Sequence, residues 1–134
     1  MSDAKQELIR YRLQMARETL EDARVLHQAG RSPWSVVNRA YYAMFYAVLA
    51  LLISIGKGAG KHSGVIRLFD QHFIKTGVFP REMSRWLHRA YDLRQRSDYR
   101  ELDYPSPAQV SEVLQWARAF VERVEAYFRQ SSEE

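Results

Sequence analysis

From Ala40 to Ile53 the chain runs through fourteen consecutive apolar residues, aliphatic, aromatic or methionine. That length falls short of the roughly 18 to 20 residues that cross a bilayer as a helix. Wound as a helix, the run is apolar nearly all round, so it must be covered on every side, as the central helix of a bundle or one shared with a second subunit. Ala40, Ala43, Ala47 and Ala50 recur at steps of three and four, which forms a seam of small side chains that lets a neighbouring helix approach closely. Ser32 followed by Pro33 supplies a start signal, serine as N-cap and proline in the first turn, and the helix is expected to extend to about Ile55.

The other segments supply the cover. Between Asp3 and Gln28, Ile9, Leu13, Ala16, Leu20, Ala23 and His27 recur at helical spacing with charges on the opposite face, and Gly30 marks the stop. Gly56 to His62 reads as a flexible connection, with Ser63 as the cap of a short third helix ending near Gly77. Pro80 opens a fourth helix, whose apolar stripe uses Met83, Trp86, Leu87 and Ala90 and which extends to about Asp98. Ser106 and Gln109 make a capping box for a last helix carrying Val110, Val113, Leu114, Ala117, Val121, Val124 and Phe128. With no strand-like alternation, the expected fold is all-α: one domain over 1–134, core about 5–128, polar tail 130–134. Its architecture is an antiparallel up-and-down bundle of four long helices and one short.

Several function classes are excluded or disfavoured by residue content. The chain has no cysteine, hence no disulfide and no thiolate nucleophile or metal ligand, which is compatible with a reducing cytosol. The charged N-terminal segment has no apolar signal-peptide core behind it, so a cytoplasmic protein without a membrane span is expected. Gly58-Ala59-Gly60-Lys61 looks like the end of a phosphate-binding loop, but Ile55 stands where such a loop needs glycine and His62 where it needs Ser or Thr. His27, His62, His72 and His88 show no zinc-binding spacing, so neither metal nor cofactor is expected. Charge is uneven: residues 57–100 carry ten Lys and Arg against four acids, whereas 101–134 carry three against seven. A surface built from the middle segment would attract phosphates.

Two constellations attract attention. The stripe Met83, Leu87, Ala90 continues one turn on to Arg94, which aims a guanidinium toward the core. Such a charge needs partners: it either pairs with Asp98, tyrosine oxygens or backbone carbonyls, or it lines a cleft that holds a ligand phosphate. On the second helix, Asn38, Arg39, Tyr42 and Tyr46 form a polar-aromatic stripe that reads first as a core hydrogen-bond network, since buried polar groups find partners for stability alone.

Three blocks in order, Asn38-Arg39-Ala40-Tyr41-Tyr42-Ala43-Met44-Phe45, Lys61-His62-Ser63-Gly64-Val65 and Tyr91-Asp92-Leu93-Arg94-Gln95-Arg96-Ser97-Asp98-Tyr99, resemble the HEPN family of prokaryotic helical domains, over about residues 5–128. The resemblance implies a dimerising helical bundle, often encoded beside a minimal nucleotidyltransferase as toxin and antitoxin, and in many members a metal-independent endoribonuclease. The family signature is an arginine, a polar neighbour and a histidine five to seven positions after the arginine. Carried over, these are Arg94, Gln95 and, in the histidine's place, Tyr99, with Asn38, Arg39 and Tyr42 as a supporting shell and Arg96 and Asp98 beside the substrate. At pH 7 only about one phenol in a thousand is ionised, so Tyr99 is a poor general base. The resemblance therefore leaves two functions open: an RNA-cleaving, nucleotide- or RNA-binding homodimer, and a noncatalytic module that binds nucleotide or docks the nucleotidyltransferase.

Overall fold

The computed structural model describes residues 2–96 and 104–133. Within them the chain forms five α-helices and no strand: α1 (Asp3–Gln28), α2 (Pro33–Ser54), α3 (His62–Phe69), α4 (Arg81–Arg96) and α5 (Pro107–Glu133). This is the all-α bundle of four long helices and one short that the periodicity predicts. Helix α2 is its axis and packs against each of the other four. Thirteen of its residues are buried, including all four seam alanines at 0% exposure. By length and composition alone α2 could cross a membrane, yet about two thirds of its most apolar stretch is covered inside the bundle.

The ends of the helices follow local chemistry. Gly30 and Gly56 adopt positive φ of 66° and 70°, the left-handed conformation that costs glycine least. At each, the next amide donates back to the last turn, Arg31 to the Leu26 carbonyl at 3.0 Å and Lys57 to Leu52 at 2.9 Å, so α1 and α2 both close in a Schellman motif. The capping box of α5 is formed in both directions: the Gln109 amide donates to Ser106 Oγ at 3.1 Å, and the Ser106 amide to Gln109 Oε1 at 2.8 Å. Ser106→Ala is expected to lower stability by about 1 kcal/mol, read from chemical denaturation, because it orphans the Gln109 amide.

Two expectations need correction. Ser32 stands at the N-cap of α2 but its side chain makes no capping bond, so proline preorganisation alone marks that start. The third helix begins at His62, with Lys61 at its N-cap, rather than behind Ser63. It does not run to Gly77 either. At Asp70 it widens into a π-helical turn, Asp70–Ile74, after which Gly77 reverses the chain at φ 80° and the Phe79 amide closes onto the Phe73 carbonyl at 2.9 Å. The wider turn aims Phe69, Phe73 and Phe79 into one aromatic cluster with Phe120 and Tyr127 of α5. Periodicity could not anticipate that extra residue, since a single inserted position leaves the apolar pattern readable as helix.

Candidate functional site

Where α4 ends, Arg94 follows the buried stripe of Met83, Leu87 and Ala90, as the spacing requires, and is itself half-buried. Its guanidinium lies over two ring faces of α2, 5.9 Å from Tyr41 and 5.3 Å from Tyr42, and Nη2 donates to the Tyr42 hydroxyl at 3.1 Å. A guanidinium placed so combines cation–π attraction with a directed hydrogen bond. Arg39 approaches Tyr42 as well, at 5.2 Å from the ring, and its Nε and Nη2 donate to Asn38 Oδ1 at 3.0 and 2.8 Å. Two positive charges thus share one phenol, a concentration that favours an anion. Asn38, Arg39 and Tyr42, which the sequence grouped on one stripe, are brought to Arg94 by the packing of α4 on α2.

The other expected members are dispersed. Gln95 is exposed and donates to the Tyr91 hydroxyl one turn back, at 3.0 Å. Arg96, two positions from Arg94 and so about 200° round the helix, opens onto a groove of about 250 Å³ between α4 and α5 that includes Arg89, Glu112 and Trp116. Asp98 and Tyr99 lie outside the described residues.

The residue that the sequence left without a role is His62. The Gly56–Lys61 connection returns the chain from the end of α2 so that α3 starts against the middle of α2. The His62 ring then stacks on Phe45 at 4.2 Å and 18° and lies 5.8 and 5.6 Å from Tyr41 and Tyr42. Its Nδ1 hydrogen-bonds the Tyr41 hydroxyl at 2.8 Å. Gly64 explains part of this placement: a Cβ there would come within 2.9 Å of the Ala59 side chain, so only glycine lets the connection lie against the first turn of α3. Gly64→Ala is expected to displace that connection, seen as chemical-shift changes at Ala59 and His62 with little change elsewhere. No local signal in the sequence marks His62; its place follows from the packing of α3 against α2 and α4.

Burial, with the nearby Arg94 charge second, holds the His62 imidazole below its ordinary value of 6.5. Burial also pushes the Tyr41 phenol well above 10, partly opposed by Arg94. The site therefore presents a neutral imidazole, a neutral phenol and a fixed guanidinium at pH 7. For stability the sign follows directly. Above pH 6.5 the imidazole is neutral folded or unfolded and contributes no pH dependence. As the pH falls below 6.5 the unfolded chain takes up a proton that the folded one resists, so stability decreases toward the depressed folded value. Denaturation midpoints measured between pH 7.5 and 5 are expected to fall for the native protein, and to fall less for His62→Phe.

Among the described residues no three His, Asp or Glu side chains gather in a way that could hold a metal ion. What the arrangement offers instead is charge stabilisation by arginine beside a titratable imidazole and stacking aromatic faces.

The sequence model of the HEPN domain matches residues 9–127. A UPF0332 protein of Thermotoga maritima is 38% identical over 121 residues, which cover 90% of this chain and 91% of the relative. A protein of Methanocaldococcus jannaschii bearing the name "Putative toxin MJ0605" is 31% identical over 112 residues, 84% of this chain and 82% of the relative. A UPF0332 protein of Pyrococcus horikoshii is 39% identical over 88 residues, 66% of this chain and 58% of the relative. A domain match across nearly the whole helical bundle, with a relative 38% identical over 90% of this chain, places this chain in the HEPN domain family.

Proposed function

We propose that this protein is the toxin-type member of a pair with a minimal nucleotidyltransferase, acting on RNA as a metal-independent endoribonuclease that works as a homodimer in the cytoplasm. The observation that carries the reading is Arg94, half-buried on the Tyr41 and Tyr42 rings with Arg39 beside the same phenol. A rigidly held arginine is suited to stabilise charge developing on a scissile phosphate. The toxin name carried by a relative of similar length supports the same direction. Tyr99, from outside the described residues, would position the attacking 2′-hydroxyl, and Arg96, on the far side of α4, would hold phosphates flanking the cleavage point.

The exposed face of α4 extends this surface. Arg81, Arg85 and Arg89 are exposed and make no ion pair with described residues, whereas Arg17 and Arg24 on α1 are paired to Glu125 and Glu21. Arg85→Ala combined with Arg89→Ala is expected to weaken single-stranded RNA binding. The slope of log Kd against log salt should flatten by about 0.7 for each phosphate that the variant no longer neutralises. The primary test is incubation of total RNA with the purified protein in excess chelator. Cleavage that disappears in Arg94→Ala supports the reading. RNA left intact while nucleotide or the purified nucleotidyltransferase binds would replace it with the noncatalytic docking function.

A further inference from the structure

The HEPN signature puts a histidine shortly after the arginine, and this chain has Tyr99 there. The fold nevertheless delivers an imidazole to the arginine from a different element. His62 of α3 and Arg94 of α4 flank the same two rings of α2: the guanidinium is 5.9 and 5.3 Å from Tyr41 and Tyr42, and the imidazole 5.8 and 5.6 Å from them. We propose that His62 is the general base of RNA cleavage at this site, the task for which the phenol of Tyr99 is ill suited.

Three features fit His62 to that role, and a packing histidine would need none of them together. Its ring is fixed on both faces of approach, stacked on Phe45 and tethered through Nδ1 to the Tyr41 hydroxyl. Its Nε2 makes no hydrogen bond to any described residue and is not a buried unsatisfied atom, so it is open to a ligand. It remains neutral near pH 7, because burial and the facing Arg94 oppose protonation. Among the described residues, the charged and titratable groups around the ring are Tyr41 and Tyr42 from α2, Tyr91 and Arg94 from α4, and Lys61, which precedes it in the chain. None is a carboxylate that would draw the imidazole into its charged form. The tautomer that serves a base is the one in which Nδ1–H donates to the Tyr41 oxygen, since it leaves the lone pair on Nε2.

The step balances without a metal or a redox partner. Nε2 takes the proton of a ribose 2′-hydroxyl while O2′ forms a bond to phosphorus, whose negative oxygens Arg94 faces. The bond from phosphorus to O5′ breaks, the 5′-oxygen takes a proton from water, and the imidazolium returns its own to solvent. The products are a 2′,3′-cyclic phosphate and a 5′-hydroxyl. Tyr41 acts as a positioning residue, since it touches the imidazole and not the substrate.

This proposal rests on the endoribonuclease reading, and one set of measurements separates the two. With a fluorogenic RNA oligonucleotide in excess chelator, kcat/KM of the native protein is expected to rise with pH along a limb below 6.5 and then level. His62→Gln is expected to lower the plateau by about 100- to 10,000-fold and to erase the limb. His62→Ala should regain activity when imidazole is added, a rescue that a misfolded variant would not show. In the native protein, a bound 2′-deoxy oligonucleotide of the same sequence should raise the pKa of His62 in its NMR titration, as a phosphate beside the ring favours the cation. Activity and limb unchanged in His62→Gln while Arg94→Ala is inactive would overturn the role of His62 and leave the ribonuclease reading intact. An unmoved His62 titration on oligonucleotide binding would do the same. RNA left intact by the native protein would overturn both.

Discussion

Arg94→Ala is expected to reduce RNA cleavage by at least about 100-fold, the loss typical when a preorganised donor to a developing oxyanion is removed. The contacts of Arg94 to α2, one hydrogen bond to the Tyr42 hydroxyl and two ring contacts at a half-buried position, account for about 1 to 2 kcal/mol of stability. The contrast matters because a purely structural arginine behaves the other way: breaking a buried ion pair costs about 3 to 5 kcal/mol by leaving its partner stranded. Tyr42, which accepts from Nη2, is half-buried, so water can replace that donor. Cleavage rate and denaturation midpoint, measured on the same preparations, decide between the two roles. Arg94→Lys should recover little activity, since an ammonium keeps the charge but not the planar fork that lies across two rings.

Tyr41→Ala is expected to have the largest effect on the fold, a loss of about 3 to 5 kcal/mol in chemical denaturation. Its ring is fully buried and lies within 6 Å of Tyr42, Phe45, His62 and Tyr91, joining three helices. Removing it leaves a cavity at the meeting point of α2, α3 and α4 and frees the imidazole from its tether. Tyr41→Phe keeps the ring and should cost only about 1 kcal/mol, the hydrogen bond to His62 Nδ1. If Tyr41→Phe is as damaging as Tyr41→Ala, the hydroxyl rather than the ring holds the cluster together.

The sequence determined the fold class, because an uninterrupted apolar run with an alanine seam has to be surrounded and four amphipathic segments were available to surround it. It determined most helix boundaries through short-range signals that need no tertiary context, above all the two Schellman glycines and the Ser106–Gln109 box. Placing Arg94 after Leu87 and Ala90 on one stripe was enough to turn it toward the core, since a helix at 3.6 residues per turn leaves little choice of face, and the packing of α4 on α2 then set it against Tyr42. The same arithmetic sends Arg96 to the opposite side, which the arginine-rich run read as a string of letters did not convey.

Only the tertiary structure decided the rest. The π-turn at Asp70 leaves the apolar periodicity readable, so the end of α3 was invisible to it. The union of His62 with Arg94 spans thirty-two positions of sequence and depends on where a glycine-rich connection sets the chain down, a matter of packing against Gly64 and Phe45 rather than of local propensity. Spacing rules describe residues on one element. A site assembled from three helices is fixed by which faces they bury against one another, and that information exists only in the folded chain.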